Sequence, residues 1–412
     1  MNAAKKTALM AGLIVVVSVA GGGLEAQAGG YAQGFQGPQS AGVSGAVTAR
    51  PELPEAGYFN PAGWALQQNW GVGGGASVIF PIIAHEELGG GERTRAEVDG
   101  AVPPFFHAFG RYRRVAGGLS LGVPYGAGLQ WPEDWPGRFE VTSTSLQVLE
   151  AAPSVAWRPL DRLAIGGGPR FVWGTVGYER FIDTARPGEE GFVELSASTP
   201  GVGFQVGVWG DVHDLINLGF SWRSAITLDF EGVAEFENIP VEMEQQAHDT
   251  IARTQMVLPH RFAVGLAYEV AAMGVVSFDV EYTRWSAVES FEVRFDSEGV
   301  EDIVEDRSWE NTISMRVGAE YLTPVEGLSF RSGVGFDPSP TPRATLSPAS
   351  PDTDRMIMSL GAGYEAGPGL LVDFAYNFIT LDRTQSGDDS FGGVYDGQIH
   401  VFTLGVRATP RR

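Results

Sequence analysis

The sequence predicts an all-β chain: a transmembrane antiparallel β-barrel of about 14 strands with an N-terminal luminal plug. Three observations carry this. Apolar residues recur at every second position through most of the chain. The connections alternate between tight turns and long polar loops. A short apolar leader is followed by about forty residues that show no strand alternation.

The leader comes first. Lys5 and Lys6 precede an apolar run from Thr7 to Ala20, and Ala26-Gln27-Ala28 has the small-x-small pattern of a cleavage site, so residues 1–28 read as a secretory signal peptide. The run is shorter than the roughly 20 residues of a spanning helix. The chain contains no cysteine, which excludes a lipid-modified cysteine, disulfides and thiolate chemistry. A net charge of -22 excludes nucleic acid as a partner, because phosphate binding needs a basic face.

Residues 29–69 follow as a plug, and 70–412 as the barrel. Within the barrel Met315, Val317, Ala319 and Tyr321 alternate with Arg316, Gly318 and Glu320. After the turn Thr323–Gly327, Leu328, Phe330, Val334 and Phe336 alternate with Ser329, Arg331, Gly333 and Asp337. In a membrane the apolar set faces lipid and the polar set faces the lumen. Repeating the count places strands near residues 70, 102, 115, 142, 162, 199, 215, 260, 275, 310, 327, 354, 369 and 397. Their length of about 10 residues suits a tilted crossing.

Tight turns at 113–114, 159–162, 210–214, 270–274, 323–327 and 366–369 alternate with polar loops near 83–100, 124–140, 182–197, 231–258, 293–309, 338–353 and 384–395. The short turns are expected at the periplasmic rim. Tyr268, Tyr321 and Tyr364 fit one aromatic girdle, and Tyr282, Trp285, Phe336 and Phe378 a second. Residues 241–257 are expected to form an amphipathic helix.

The plug segment carries Gly34-Phe35-Gln36 and, just before the first strand, Asn60-Pro61-Ala62-Gly63. Further marks follow in order: Tyr282-Thr283-Arg284-Trp285-Ser286, the run from Phe330 to Pro342, and Asp354-Arg355. On these marks the chain resembles the FadL/TodX family of outer-membrane long-chain fatty acid and hydrocarbon transporters. The resemblance implies a 14-stranded barrel closed by its N-terminal hatch, in the outer membrane of a Gram-negative bacterium. It also implies passive uptake of hydrophobic small molecules, long-chain fatty acids first and aromatic hydrocarbons second. Release would follow a hatch rearrangement, sideways through a gap in the wall or into the periplasm. One departure is the C-terminus, which ends Ala408-Thr409-Pro410-Arg411-Arg412, leaving Phe402 as the nearest aromatic residue.

Candidate residues follow from both readings. Phe35, Asn60, Pro61, Ala62 and Gly63 belong to the hatch. Gly117, Gly118, Gly122 and Pro124, residues that weaken ladder pairing, are candidates for the wall gap, although ordinary barrel curvature also explains glycines. Arg223, Arg261, Arg316 and Arg331 face the lumen by phase and could orient a carboxylate; pairing with lumen acids such as Glu269, Glu281, Glu320 and Asp337 is the simpler role of any one of them. The acidic groups at 301–306 and 387–389 lack calcium-loop spacing and read as solvated loop charge.

No metal, cofactor or catalytic activity is expected, since the six histidines form no arrangement with Ser or Asp that the sequence ties together. A general diffusion porin is the nearer alternative. The expected surroundings are outer-membrane lipid and lipopolysaccharide, the barrel assembly machinery, and a monomeric state.

Overall fold

A computed structural model describes residues 30–410, apart from 52, 98–99, 185, 187–188, 271–272, 298 and 388–390. The signal peptide of residues 1–28 and most of the 387–389 acidic group lie outside the described residues.

Nineteen strand segments form one antiparallel sheet: β1 (Gly71–Glu87), β2 (Arg93–Arg95), β3 (Pro104–Tyr112), β4 (Val115–Gln130), β5 (Ser143–Leu160), β6 (Leu163–Ile182), β7 (Gly191–His213), β8 (Ile216–Arg223), β9 (Ile226–Glu237), β10 (Thr250–Leu258), β11 (Arg261–Glu269), β12 (Gly274–Thr283), β13 (Ser290–Phe295), β14 (Ile303–Asp306), β15 (Thr312–Leu322), β16 (Leu328–Asp337), β17 (Arg355–Gly367), β18 (Leu370–Gln385) and β19 (Gly393–Ala408). Five of them, β2, β9, β10, β13 and β14, extend the wall at the long-loop rim. The other fourteen form the barrel. It closes where β1 pairs with β19, from Val72 opposite Ala408 to Glu87 opposite Gly393. A closed ladder leaves no strand edge in the hydrocarbon, the one condition on which a sheet survives there.

The period of two sorts the side chains as hydrophobicity demands. On β16 to β19, Phe330, Val334, Leu360, Phe374 and Leu404 stand exposed on the outer surface, while Arg331, Ser359, Asn377 and Thr403 are buried inward. Lipid meets the first set. Tight links such as Arg113-Arg114, where Arg113 adopts φ 57, and Pro368-Gly369, with Gly369 at φ 74, join strands at one rim. Tyr268, Tyr321 and Tyr364 stand exposed near that rim, and Tyr282 and Phe336 toward the other.

Several expectations are corrected. β7 begins at Gly191 and β19 at Gly393, earlier than the sequence pattern suggested. Their outer ends stand above the bilayer, where Glu194, Ser196 and Ser198 need no apolar partners, so the lipid pattern fades before the strand does. At 23 residues β7 is about twice the 9–11 that a tilted crossing requires. The expected helix at 241–257 is absent. Only Val241–Met243 forms a helical turn, and 250–258 is β10, paired with β9 from Thr250 opposite Ala234 to Leu258 opposite Ile226. Ladder bonds to a neighbouring strand outweigh a weak local helical period. Most of loop 293–309 belongs to the β13–β14 hairpin, paired from Ser290 opposite Asp306 to Val293 opposite Ile303. Trp285 sits in no girdle: it is buried in the lumen against Tyr31 and Trp309.

Candidate functional site

Residues 30–69 fill the lumen. The segment includes short helical turns at Pro38–Ala41 and Ala56–Phe59 and a 3-10 turn at Pro61–Leu66, and it joins β1 at Gly71. Its far end lies high in the barrel: the Gly30 amide donates to Asp352 Oδ2 on the outer loop at 2.9 Å.

The Asn60–Gly63 turn shows how sequence seats this plug. Asn60 Nδ2 donates to the carbonyls of Thr48 (2.8 Å) and of Val208 on β7 (2.9 Å), and Asn60 Oδ1 accepts from the Ala62 amide at 3.2 Å. One side chain therefore caps its own turn and ties it to the wall, with Pro61 fixing φ at the start of the 3-10 turn. The wall is glycine where the turn touches it. A Cβ at Gly207 would stand 2.0 Å from Asn60 Oδ1, and one at Gly166 only 2.7 Å from the Ala62 nitrogen. Phe35 packs in a buried cluster with Ala41, Ile357 and Ile379.

Three of the four lumen arginines proposed from the sequence are committed. Arg223 donates to the Tyr58 carbonyl (2.9 Å) and Gln205 Oε1 (2.8 Å), pairs with Glu150, and lies over the Tyr58 ring. Arg261 reaches the Tyr58 hydroxyl at 3.0 Å and holds Glu281 through 2.8 and 2.9 Å bonds. Arg331 bridges Glu320 and Asp373, both at 2.7 Å, and those acids receive Arg50 and Gln39 from the plug. Asp279 adds another tie, accepting the amides of Val47 (2.9 Å) and Thr48 (2.8 Å) at Oδ2. Arg316 pairs with Glu281 at 3.7 Å and lies opposite Asp279 on the neighbouring strand β12. Arg223, Arg261 and Arg331 thus bind plug to wall.

Burial pushes the Glu55 carboxyl upward, against the pull of the Ser40 amide that donates to it. Burial likewise raises the Tyr31 hydroxyl, and it raises Asp352 in spite of the opposing Arg355 guanidinium.

Two cavities flank the upper plug. The outer one, about 320 Å³, is lined by Leu146, Val176, Leu195, Met256, Val293 and Phe291 among others, with Arg307 and Trp309 on its wall. The inner one, about 60 Å³, is lined by Arg223, Arg261, Arg316 and Arg355 together with Asp279 and Glu281. Tyr31 and Trp285 stand between them, ring centroids 4.8 Å apart. Arg331 instead faces a periplasmic vestibule of about 770 Å³.

The gap candidates converge on β4. Its ladder with β3 ends where Leu121 faces Phe106, and its ladder with β5 slips between Gly122 and Tyr125. Gly117 and Gly118 still lie in the paired part. Beyond the slip, the plug supplies the missing partner: the Gln33 amide donates to the Pro124 carbonyl (2.8 Å), the Gly126 amide to the Tyr31 carbonyl (2.9 Å), and Gln36 Nε2 to the Val123 carbonyl (2.9 Å).

This architecture has known counterparts. The family described as outer membrane protein transport protein (OMPP1/FadL/TodX) matches residues 24–409. The chain belongs to that family. It is an outer-membrane transporter of the FadL/TodX type, a family that carries hydrophobic compounds. The long-chain fatty acid transport protein of Escherichia coli O6:H1 is 22% identical over 64% of this chain and 65% of its own length. A Pseudomonas aeruginosa FadL homologue superposes with a TM-score of 0.82 at 20% identity, covering 92% of this chain and 99% of that one. The toluene transporter TodX of P. putida gives 0.74 at 15% identity, covering 94% and 100%.

Sequence reasoning missed Tyr31 and Arg307, and took Arg355 as a family mark without placing it in the lumen. Arg355 was within reach, since it stands in the inward phase of β17 with Ile357 and Ser359. Tyr31 was not, because a plug has no period to read.

Proposed function

We propose that this FadL/TodX-family chain takes up hydrophobic compounds passively, long-chain fatty acids foremost. A ligand arrives past the outer loops, lodges in the 320 Å³ cavity, and leaves when the plug rearranges. Apolar burial supplies affinity, roughly 0.8 kcal/mol per methylene. The observation that carries this reading is the pairing of plug residues 31–33 with the bent edge of β4, which stoppers a break in the wall beside the cavity. Withdrawing them opens a lateral route into the bilayer, with Gly122 and Pro124 at the bend.

The chain has no cysteine of its own, so a cross-link tests the idea cleanly. Ala32 and Tyr125 face one another as a bridge whose hydrogen bonds are made by their neighbours, a position with Cα atoms about 4.5 Å apart and within disulfide reach. In Ala32→Cys/Tyr125→Cys, oxidation should stop fatty acid uptake by cells and reduction restore it. Undiminished uptake with the bond formed would refute release by movement of this segment.

Aromatic hydrocarbons are the second reading, favoured by Tyr31, Phe291 and Trp309 around the cavity. Competition of toluene against oleate for uptake separates the two. A diffusion porin would instead give a large steady conductance in planar bilayers, which the seated plug opposes. Insertion by the barrel assembly machinery into a leaflet of lipopolysaccharide, as a monomer, completes the proposal.

A further inference from the structure

We infer that the turns joining β3 to β4 and β5 to β6 form a docking site for the head group of an anionic phospholipid in the periplasmic leaflet, with Arg113 and Arg158 as its cationic contacts. This rests on the orientation in which the tight turns face the periplasm.

Charge is sorted around that rim. The chain has a net charge of -22, yet five arginines, Arg111, Arg113, Arg114, Arg158 and Arg162, crowd into or beside two neighbouring turns. The tight turns at 270–274, 323–327 and 366–369 are flanked or occupied by Glu269, Glu326 and Glu365 and hold no arginine. Solvation alone would mix the two signs and gives no reason to separate them by side.

Hydrogen bonds join the two basic turns into one surface. Arg114 Nη1 donates to the carbonyls of Arg158 (3.2 Å) and Pro159 (2.9 Å), and its Nη2 pairs with Asp161 at 2.9 Å. Arg162 is taken by Asp214 at 2.6 Å, with Asp211 at 3.7 Å, and Arg111 donates to the carbonyls of Gln67 and Arg113, both at 2.7 Å. Arg113 and Arg158 are left with no ion pair among the described residues. Arg158 donates to the Asp161 carbonyl, and the Arg113 guanidinium stands over the Tyr112 ring, 5.3 Å from its centroid. Two guanidinium forks on one surface without an acid of their own suit a phosphate.

The wall beside them is built for lipid. Tyr112 lies opposite Val115, Val115 opposite Trp157, and Trp157 opposite Ile165, so four strands set one apolar row at the rim. All four side chains are exposed on the outer surface, Tyr112 to 74%. Tyrosine and tryptophan at a barrel rim sit at head-group depth, with acyl chains beyond them. Because Arg113 lies over the outward Tyr112, its fork stands on the lipid side of the wall, where a phospholipid phosphate lies; a soluble anion would have no use for the apolar row. The ladder of β4 with β5 slips further along, between Gly122 and Tyr125, so the bound lipid would stand beneath the proposed lateral route.

The test titrates dioleoyl phosphatidylglycerol or dioleoyl phosphatidylcholine, which share their chains, into the purified full-length barrel in detergent, with bound lipid counted by native mass spectrometry. The expected result is a preference for phosphatidylglycerol of about fivefold for each arginine engaged. It should shrink in Arg113→Asn and in Arg158→Gln and fall toward one in the double variant; asparagine is chosen because position 113 has φ 57, which it adopts readily. Arg294→Gln, an exposed arginine at the long-loop rim, should leave the preference unchanged. Migration of the unheated barrel on gels reports folding of each variant. Equal affinities in the unaltered protein, a preference that survives the double substitution, or glycerol phosphate bound as tightly as the lipid would overturn the site. Orientation is checked apart from it: Glu326→Cys, in another tight turn, should resist a membrane-impermeant maleimide on intact cells. Labelling there would overturn the periplasmic leaflet assignment whatever the lipid preference.

Discussion

Glu55 shows what a single plug residue contributes. It is buried, accepts the Ser40 amide at 2.8 Å, and has its carboxyl raised by burial, with the Asp373 charge adding to the effect. The seated plug therefore favours the protonated acid. Its stabilising contribution is complete below the ordinary glutamate value and is lost as pH rises through the raised one. Acidification should tighten the plug, and in Glu55→Gln that pH dependence should flatten while the amide oxygen still accepts from Ser40. Bilayer conductance across that pH range checks both. A wild-type conductance that climbs on acidification would reverse the sign assigned here. The NPAG motif offers a steric counterpart. Gly207→Ala would press a methyl against Asn60 Oδ1, so plug seating should be lost while the β6–β7 ladder persists.

At the scale of elements, lipid depth governs what each strand tolerates. Leu360 lies midway along β17, opposite Ser332 and Tyr376, and points outward, whereas Phe330 lies two residues nearer the Tyr364 rim. Leu360→Arg should cost about 2–4 kcal/mol and Phe330→Arg less, since the penalty of a charge falls toward the interface. Equilibrium unfolding from bilayers measures the difference, and equal costs would contradict the placement. These strands were legible in the sequence because lipid on one side and a wet or plugged lumen on the other impose a strict alternation. The same physics explains what was not legible. β9, β10, β13 and β14 rise above the bilayer, where Asp229, Glu231 and Arg253 face water on the outer side, so their alternation no longer distinguishes lipid from lumen. Lumen arginines were correctly placed by phase, but phase says nothing of partners. Arg223, Arg261 and Arg331 differ from Arg316 in the partners that plug and wall together bring to them.

For the whole molecule, stability and closure are separable. The barrel is closed by a ladder of sixteen residue pairs between β1 and β19 that involves no plug residue. The plug is held by dispersed ties: Arg223 and Arg261 on Tyr58, Asp279 on the 47–48 amides, Asn377 on the Ala41 carbonyl, and Glu320 on Arg50. Removing one tie strands a buried partner but leaves the others, so a single substitution should loosen the plug only slightly. Removing two on opposite sides should not be additive, because the remaining ties then hold a segment free to pivot. Arg223→Ala and Asp279→Ala are the natural pair, since the first releases the Tyr58 carbonyl and the second the amides of Val47 and Thr48. The expected outcome is little conductance in either single variant and a steady open conductance in the double, with the strand content unchanged by circular dichroism. A double variant as tight as the parent would place the seal elsewhere, in the apolar contacts of Phe35, Val43 and Trp64. Loss of strand content instead would show that the plug is part of the barrel's own core.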